Sequence, residues 1–152
     1  MDRRDAILTQ LEALLTPLAP NFYRDRGELP AEIRPAIVLL DADEMADDRA
    51  INRGRLASSP NLVRLTPEIY IVLAGQKPLN ATVGILLNSF RMAILNSILF
   101  DNTLQNIVTS SGEIRYNGCV TDLGKDRSMN GEMGVSITFV YPFIPGELRA
   151  SS

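Results

Sequence analysis

Residues 61–75 read NLVRLTPEIYIVLAG, in which apolar and polar side chains alternate. This alternation predicts one long β-strand with a single buried face. The apolar positions on that face are Val63, Leu65, Ile69, Ile71 and Leu73. Pro67 falls inside the run, and because proline cannot donate to a sheet ladder it marks a bulge or an edge position. The longest helix is predicted next, over about 81–100, opened by Pro78 and Asn80.

The elements around this strand and helix indicate the fold class. Asp2 is a plausible N-cap for the first helix, and Asp101 or Asn102 for a short helix ending near Val108. The other predicted elements are a helix at 3–16, strands at 21–24 and 36–40, and a hairpin of 114–123 with 135–141. This order predicts an α+β fold: a mixed, mostly antiparallel sheet of about five strands, with an N-terminal helix and one long helix packed on it.

Length and charge bound the function. The chain has 152 residues, 45% hydrophobic and 22% charged, which predicts one ordinary globular domain over 1–152. Loops are expected at about 41–60 and 124–134, with a flexible tail at 146–152; a loop as long as 41–60 is usually functional or mobile. The net charge of −3 argues against a general nucleic-acid binder. Charges near the N-terminus and the lack of a long apolar run predict an intracellular protein without a membrane span.

Several kinds of catalytic site are excluded by composition. The chain has no histidine, which rules out a Ser-His-Asp triad, a Cys-His dyad and histidine metal sites. Its single cysteine, Cys119, allows no intramolecular disulfide and is expected to fill apolar space within a strand. No phosphate-binding glycine loop is present. We therefore expect a protein that is not an enzyme and that needs no cofactor or metal.

Five acidic residues follow the predicted strand at 36–40. They are Asp41, Asp43, Glu44, Asp47 and Asp48. One interpretation is a small Mg²⁺-dependent hydrolase that uses Asp41, Asp43 and Glu44, since this ion takes one or two carboxylates and keeps its waters. The other is a solvated loop leaving the sheet, which we favour because no lysine, histidine or second acidic motif accompanies the acids.

Three arginines, Arg49, Arg53 and Arg55, come directly after the acids. The chain has 13 arginines and only 2 lysines, and arginine is suited to fixed bidentate contacts with carboxylates. Two alternatives remain open here: contact between this stretch and the acids of a neighbouring subunit, or ion pairs within one subunit. The candidate interface residues are Arg49, Arg53, Arg55, Asp43, Glu44, Asp47, Asp48 and Arg91.

The long helix carries more apolar surface than one core requires. One stripe consists of Val83, Leu86, Leu87, Phe90, Ile94 and Ile98; a second consists of Ile85, Met92, Leu95 and Leu99. A helix with one side in water is apolar over little more than a third of its circumference. The excess favours a second partner surface, such as another subunit, over a helix enclosed in its own core.

Stretches along most of the chain resemble the tail-terminator family of long-tailed bacteriophages and related gene-transfer agents. The first is a short helix ending at Pro17, followed by FYRDRGELP at 22–30. The second is RPAIVLLDADE at 34–44, and the third is LTPEIYI at 65–71 before the long helix. The closing order of strand, helix and hairpin also suits that family.

The resemblance implies a structural role. In that family, subunits close into a six-fold ring on the top of the tail tube, stop its polymerisation, and offer their other side to head-completion proteins. It implies partners of three kinds: copies of the same chain, tail-tube protein and a neck protein. DNA passes through the ring without sequence-specific binding, and an acidic lumen would suit that passage. The implied location is the virion tail or neck, and the host cytoplasm during assembly. Another neck or tail-completion adaptor is the alternative.

Overall fold

The computed structural model describes residues 1–25, 35–47, 62–73, 80–122, 131–144 and 146. Its helices are α1 (Arg3–Leu15), α2 (Asn80–Leu99) and α3 (Asn102–Val108), with a 3₁₀ turn at Thr16–Leu18 after α1. Its strands are β1 (Asn21–Arg24), β2 (Ala36–Leu40), β3 (Glu44–Ala46), β4 (Leu62–Leu65), β5 (Glu68–Val72), β6 (Glu113–Asp122) and β7 (Glu132–Pro142). The fold is α+β, as predicted.

The strands form one mixed sheet. From one edge the order is β1, β2, β5, β7 and β6, with β3 and β4 continuing the lines of β2 and β5. Among the described strands only β1 and β2 pair in parallel; every other pairing is antiparallel. The seven described strands exceed the expected number of about five because β3 was not predicted and the predicted strand at 61–75 is divided in two.

That division occurs at Pro67 and leaves the register intact. Leu65 pairs with Phe139 and Glu68 pairs with Ser136, so β4 and β5 keep one alignment along β7. The edge of this line that pairs with β2 and β3 is irregular. Leu40 pairs with Glu68 and Glu44 pairs with Leu65, so the three residues 41–43 lie opposite the two residues 66 and 67. The extra residue therefore lies between β2 and β3, opposite Pro67, which has no N–H to donate. The expectation of a loop throughout 41–60 was wrong at β3, and β7 begins at Glu132, inside the loop expected at 124–134.

The helices cover one face of the sheet, where the core lies. The core is built from α1, α2, α3 and alternate residues of β2, β4, β5 and β7. Asp2 caps α1 by accepting a 2.8 Å hydrogen bond from the Asp5 N–H, as predicted. Asp101 caps α3 in the same way through Leu104 and also accepts from Gln10 at 3.2 Å, which ties α1 to α3. Asp101 thus both caps the start of α3 and holds it against α1.

The opposite face, called the outer face here, is partly polar. Thr66 and Thr138 share a 2.8 Å hydrogen bond, and the Asn117 amide donates to Ser136 at 3.1 Å and to Thr138 at 2.7 Å.

Within the described ranges no single helix is long and apolar enough to cross a membrane. Helix α2 from Val83 and helix α3 together reach the required length and hydropathy, but as a pair bent by 57°.

Candidate interaction surfaces

The acidic cluster predicted from the sequence is dispersed in the structure. Asp41 receives two hydrogen bonds from Arg24, at 3.0 Å from Nε and 2.9 Å from Nη2. Arg24 also pairs with Glu12 at 3.3 Å, and these contacts, led by the hydrogen bonds to Asp41, raise the pKa of the guanidinium. Asp41 is therefore held at the end of β2 by the neighbouring β1 and α1.

Glu44 and Asp47 also lie against their own chain. The Tyr141 hydroxyl, on a residue only 1% exposed, donates to the Glu44 carboxylate. Burial, followed by this hydrogen bond and the negative charge of Glu44, raises the pKa of Tyr141. Asp47 is buried, at 5% exposure, whereas Asp43 is exposed. Across the described ranges, no three acidic or cysteine side chains are placed to hold a metal ion.

The remaining predicted interface residues divide into two groups. Asp48, Arg49, Arg53 and Arg55 lie outside the described residues. Arg91 is half-buried and bridges α2 to β6: it donates to the Tyr116 hydroxyl at 3.2 Å and to Asn88 Oδ1 at 2.8 and 3.1 Å. The guanidinium thus has partners within its own chain.

Helix α2 presents an exposed apolar surface, called the outer α2 face here. Its large members are Ile85, Leu86 and Met92 on the helix and Phe100 directly after it, exposed by 69%, 46%, 42% and 75%. The exposed Ser89 and Asn96 lie on the same side of the helix and carry no charge. The opposite side of the helix packs into the core through Val83, Leu87, Ile94, Leu95 and Ile98. The two predicted stripes are thus partly exchanged, because Leu86 is exposed and Leu95 is buried. Arg91 is the only charged residue of α2, so no charge interrupts the outer α2 face.

A groove crosses the outer face of the sheet over β5, β7 and β6. It has a volume of about 510 Å³, and its lining includes Pro67, Glu68, Tyr70, Val120, Glu132 and Gly134. Gly134 pairs with Tyr70 on one side and with Val120 on the other, so the floor lacks a side chain between these two walls. A Cβ atom at Gly134 would lie 3.3 Å from Tyr70 Cε1. We call this feature the outer groove.

The outer groove has an apolar middle and an acid toward each end. Val120 is 76% exposed, and Tyr70 is half-buried. Burial raises the pKa of Tyr70, and so do the charge and hydrogen bond of Glu68 and the charge of Glu132. Both glutamates are exposed, and within the described part of the chain neither forms a salt bridge. The outer groove therefore combines apolar walls with a negative charge toward each end.

Sequence reasoning missed the outer groove and misplaced Cys119. The groove depends on which residues lie opposite Gly134, and a sequence gives no strand register before the fold is known. Cys119 was expected to be buried, but it is exposed on β6, whose described pairing is with β7 alone. An edge position explains the exposure, since one side of the strand has no neighbour there.

Comparison with known proteins gives no identification: no protein-family model matches the chain, and no curated protein matches it either.

Proposed function

We propose that this chain is a structural tail terminator, a subunit of a ring that caps a phage tail tube, stops its polymerisation and provides the joining surface for the neck. The proposal combines the resemblance described above with a single structural observation, the outer α2 face. That face exposes four large apolar side chains without an intervening charge, and surfaces of this kind mark sites of protein association.

The acidic residues give the hydrolase alternative little support. Asp41 is engaged by Arg24, and Glu44 accepts the hydroxyl of the buried Tyr141. A Mg²⁺ site would have to displace both contacts. The arrangement instead fits a role in holding the end of the sheet together.

Deletion of the gene in its phage or gene-transfer agent tests the proposal. We expect over-long, irregular tails in electron micrographs, and normal length when the intact gene is supplied on a plasmid. Tails of normal length that fail to join heads would instead indicate a neck adaptor, and unchanged particles would contradict both roles.

The purified protein provides a second test. We expect closed rings in negative stain, alone or on isolated tail tubes. A chain that stays monomeric at tens of micromolar both with and without tubes would contradict the ring.

A further inference from the structure

The two glutamates of the outer groove have a fixed spacing that a binding segment would have to match. Glu68, Tyr70 and Val72 lie on the outer face of β5, and Glu132 pairs with Val72. Glu68 and Glu132 are thus four residues apart along the strand direction, or about 13 Å at 3.3 Å per residue. The apolar walls, Tyr70 and Val120, lie midway between them.

An extended segment that fits this groove needs a cation, an apolar side chain and a second cation at alternate positions. Side chains of an extended chain project to the same side at every second residue, with the same spacing as the β5 side chains. The sequence Arg49-Ala50-Ile51-Asn52-Arg53 carries this pattern, with Ile51 between two arginines. Arginine also suits the chemistry, because it pairs with carboxylates and stacks on aromatic rings.

We propose that residues 49–53 of a second copy of this chain dock in extended form in the outer groove. Arg49 and Arg53 pair with the two glutamates, and Ile51 packs between Tyr70 and Val120. Among the acids that precede these arginines, Asp41 already accepts two hydrogen bonds from Arg24, and Glu44 accepts one from the Tyr141 hydroxyl. The inference rests on the proposed function, for which it supplies one contact between subunits.

A peptide tests the recognition step directly. The probe is a fluorescent peptide of residues 48–56, DRAINRGRL, titrated into the full chain and followed by polarisation. We expect saturable binding that weakens about tenfold for Glu68→Gln and for Glu132→Gln, as for loss of a close charge pair across an interface. Glu113→Gln is the control for net charge, since Glu113 lies opposite Val140 on the outer face, outside the groove, where it pairs with Arg115 at 3.2 Å.

Two further probes separate specific docking from general attraction of charge. A scrambled peptide, RRLDAGNIR, keeps the composition but breaks the alternate spacing, and we expect it to bind at least tenfold more weakly. Gly134→Ala narrows the floor beside Tyr70 without changing charge, and it should also weaken binding. Absence of peptide binding, or equal binding of both peptides, would overturn the inference.

Mixing of charge-reversed chains tests whether the segment comes from a second copy. One chain carries Glu68→Arg with Glu132→Arg, and the other carries Arg49→Glu with Arg53→Glu. By sedimentation velocity we expect the wild type to associate, each variant alone to associate more weakly, and an equimolar mixture to recover part of the association. Recovery only in a chain carrying all four changes would place the segment in its own groove and overturn the second-copy assignment, as would a monomeric wild type.

These outcomes separate the inference from the proposed function. If deletion of the gene gives over-long tails but the peptide does not bind, the terminator role stands and the groove contact is wrong. If the peptide binds and the mixture associates but deletion leaves tail length unchanged, the contact stands and the terminator role fails.

Discussion

Substitution of Ile85 by asparagine tests whether the outer α2 face is an association surface. Ile85 is 69% exposed in the free subunit. Burying a whole side chain of this kind contributes about 1.5–3 kcal/mol, so covering its exposed part is worth about 1–2 kcal/mol. Loss of that contribution weakens each contact made by the face about 5- to 30-fold.

The same change has little reason to unfold the subunit. Ile85 lies on the solvent side of α2, and exposed substitutions usually alter the free energy of unfolding by less than about 0.5 kcal/mol. Urea unfolding of Ile85→Asn should therefore match the wild type. The proposed ring formation on isolated tubes, counted in electron micrographs across a concentration series, should shift to higher protein concentration.

Ile144→Asn is the matched control. Ile144 is 52% exposed, follows β7 and lies beside Asp2 and Arg3 at the start of α1. We expect it to leave the concentration dependence of assembly unchanged. If both variants behave as the wild type, or if both weaken assembly equally, the outer α2 face has no special role.

Four further predictions concern stability, measured by urea unfolding. Gly84→Ala should raise the free energy of unfolding by about 0.5–1 kcal/mol, because alanine favours a helix over glycine and no described atom lies within 4 Å of the added methyl. Gly112→Ala should lower the free energy of unfolding by more than about 2 kcal/mol, because the added methyl would overlap two backbone carbonyl oxygens. A raised pKa keeps Tyr141 neutral in the folded chain at a pH where tyrosine in the unfolded chain ionises, near pH 10. The free energy of unfolding should therefore fall above pH 10, by up to about 1.4 kcal/mol per pH unit. Tyr141→Phe should show a shallower fall, and an unchanged slope would contradict the assignment. Arg24→Lys should cost about 0.5–1 kcal/mol, because lysine cannot form two parallel bonds to Asp41 and both side chains are partly exposed; equal stability would mean that the pair contributes nothing.

Features encoded by local sequence were predictable. The cap at Asp2 and the buried strand at 36–40 were placed correctly, because capping and short apolar runs depend on neighbours in the chain. The hairpin was found for the same reason, although β7 begins at Glu132 rather than at Val135.

Features set by tertiary contacts were not predictable. Strand β3 is exposed and only three residues long, so its sequence has no apolar pattern to reveal it. Leu86 and Leu95 were assigned to the wrong sides of α2 because helical spacing gives the angle between side chains but not which angle faces the sheet. The outer groove required the register of β5, β6 and β7.

The two proposed surfaces lie on opposite layers of the fold. The outer α2 face belongs to the helical layer, and the outer groove lies on the far face of the sheet. A two-fold dimer uses one patch that meets its own copy, whereas a closed ring joins unlike patches head to tail. The proposed groove contact joins the acidic groove of one chain to the arginines of another, so it joins unlike patches, as a contact within a ring does. Charge reversal in the groove should therefore leave any contact made by the outer α2 face intact, and the two sets of variants should weaken assembly independently.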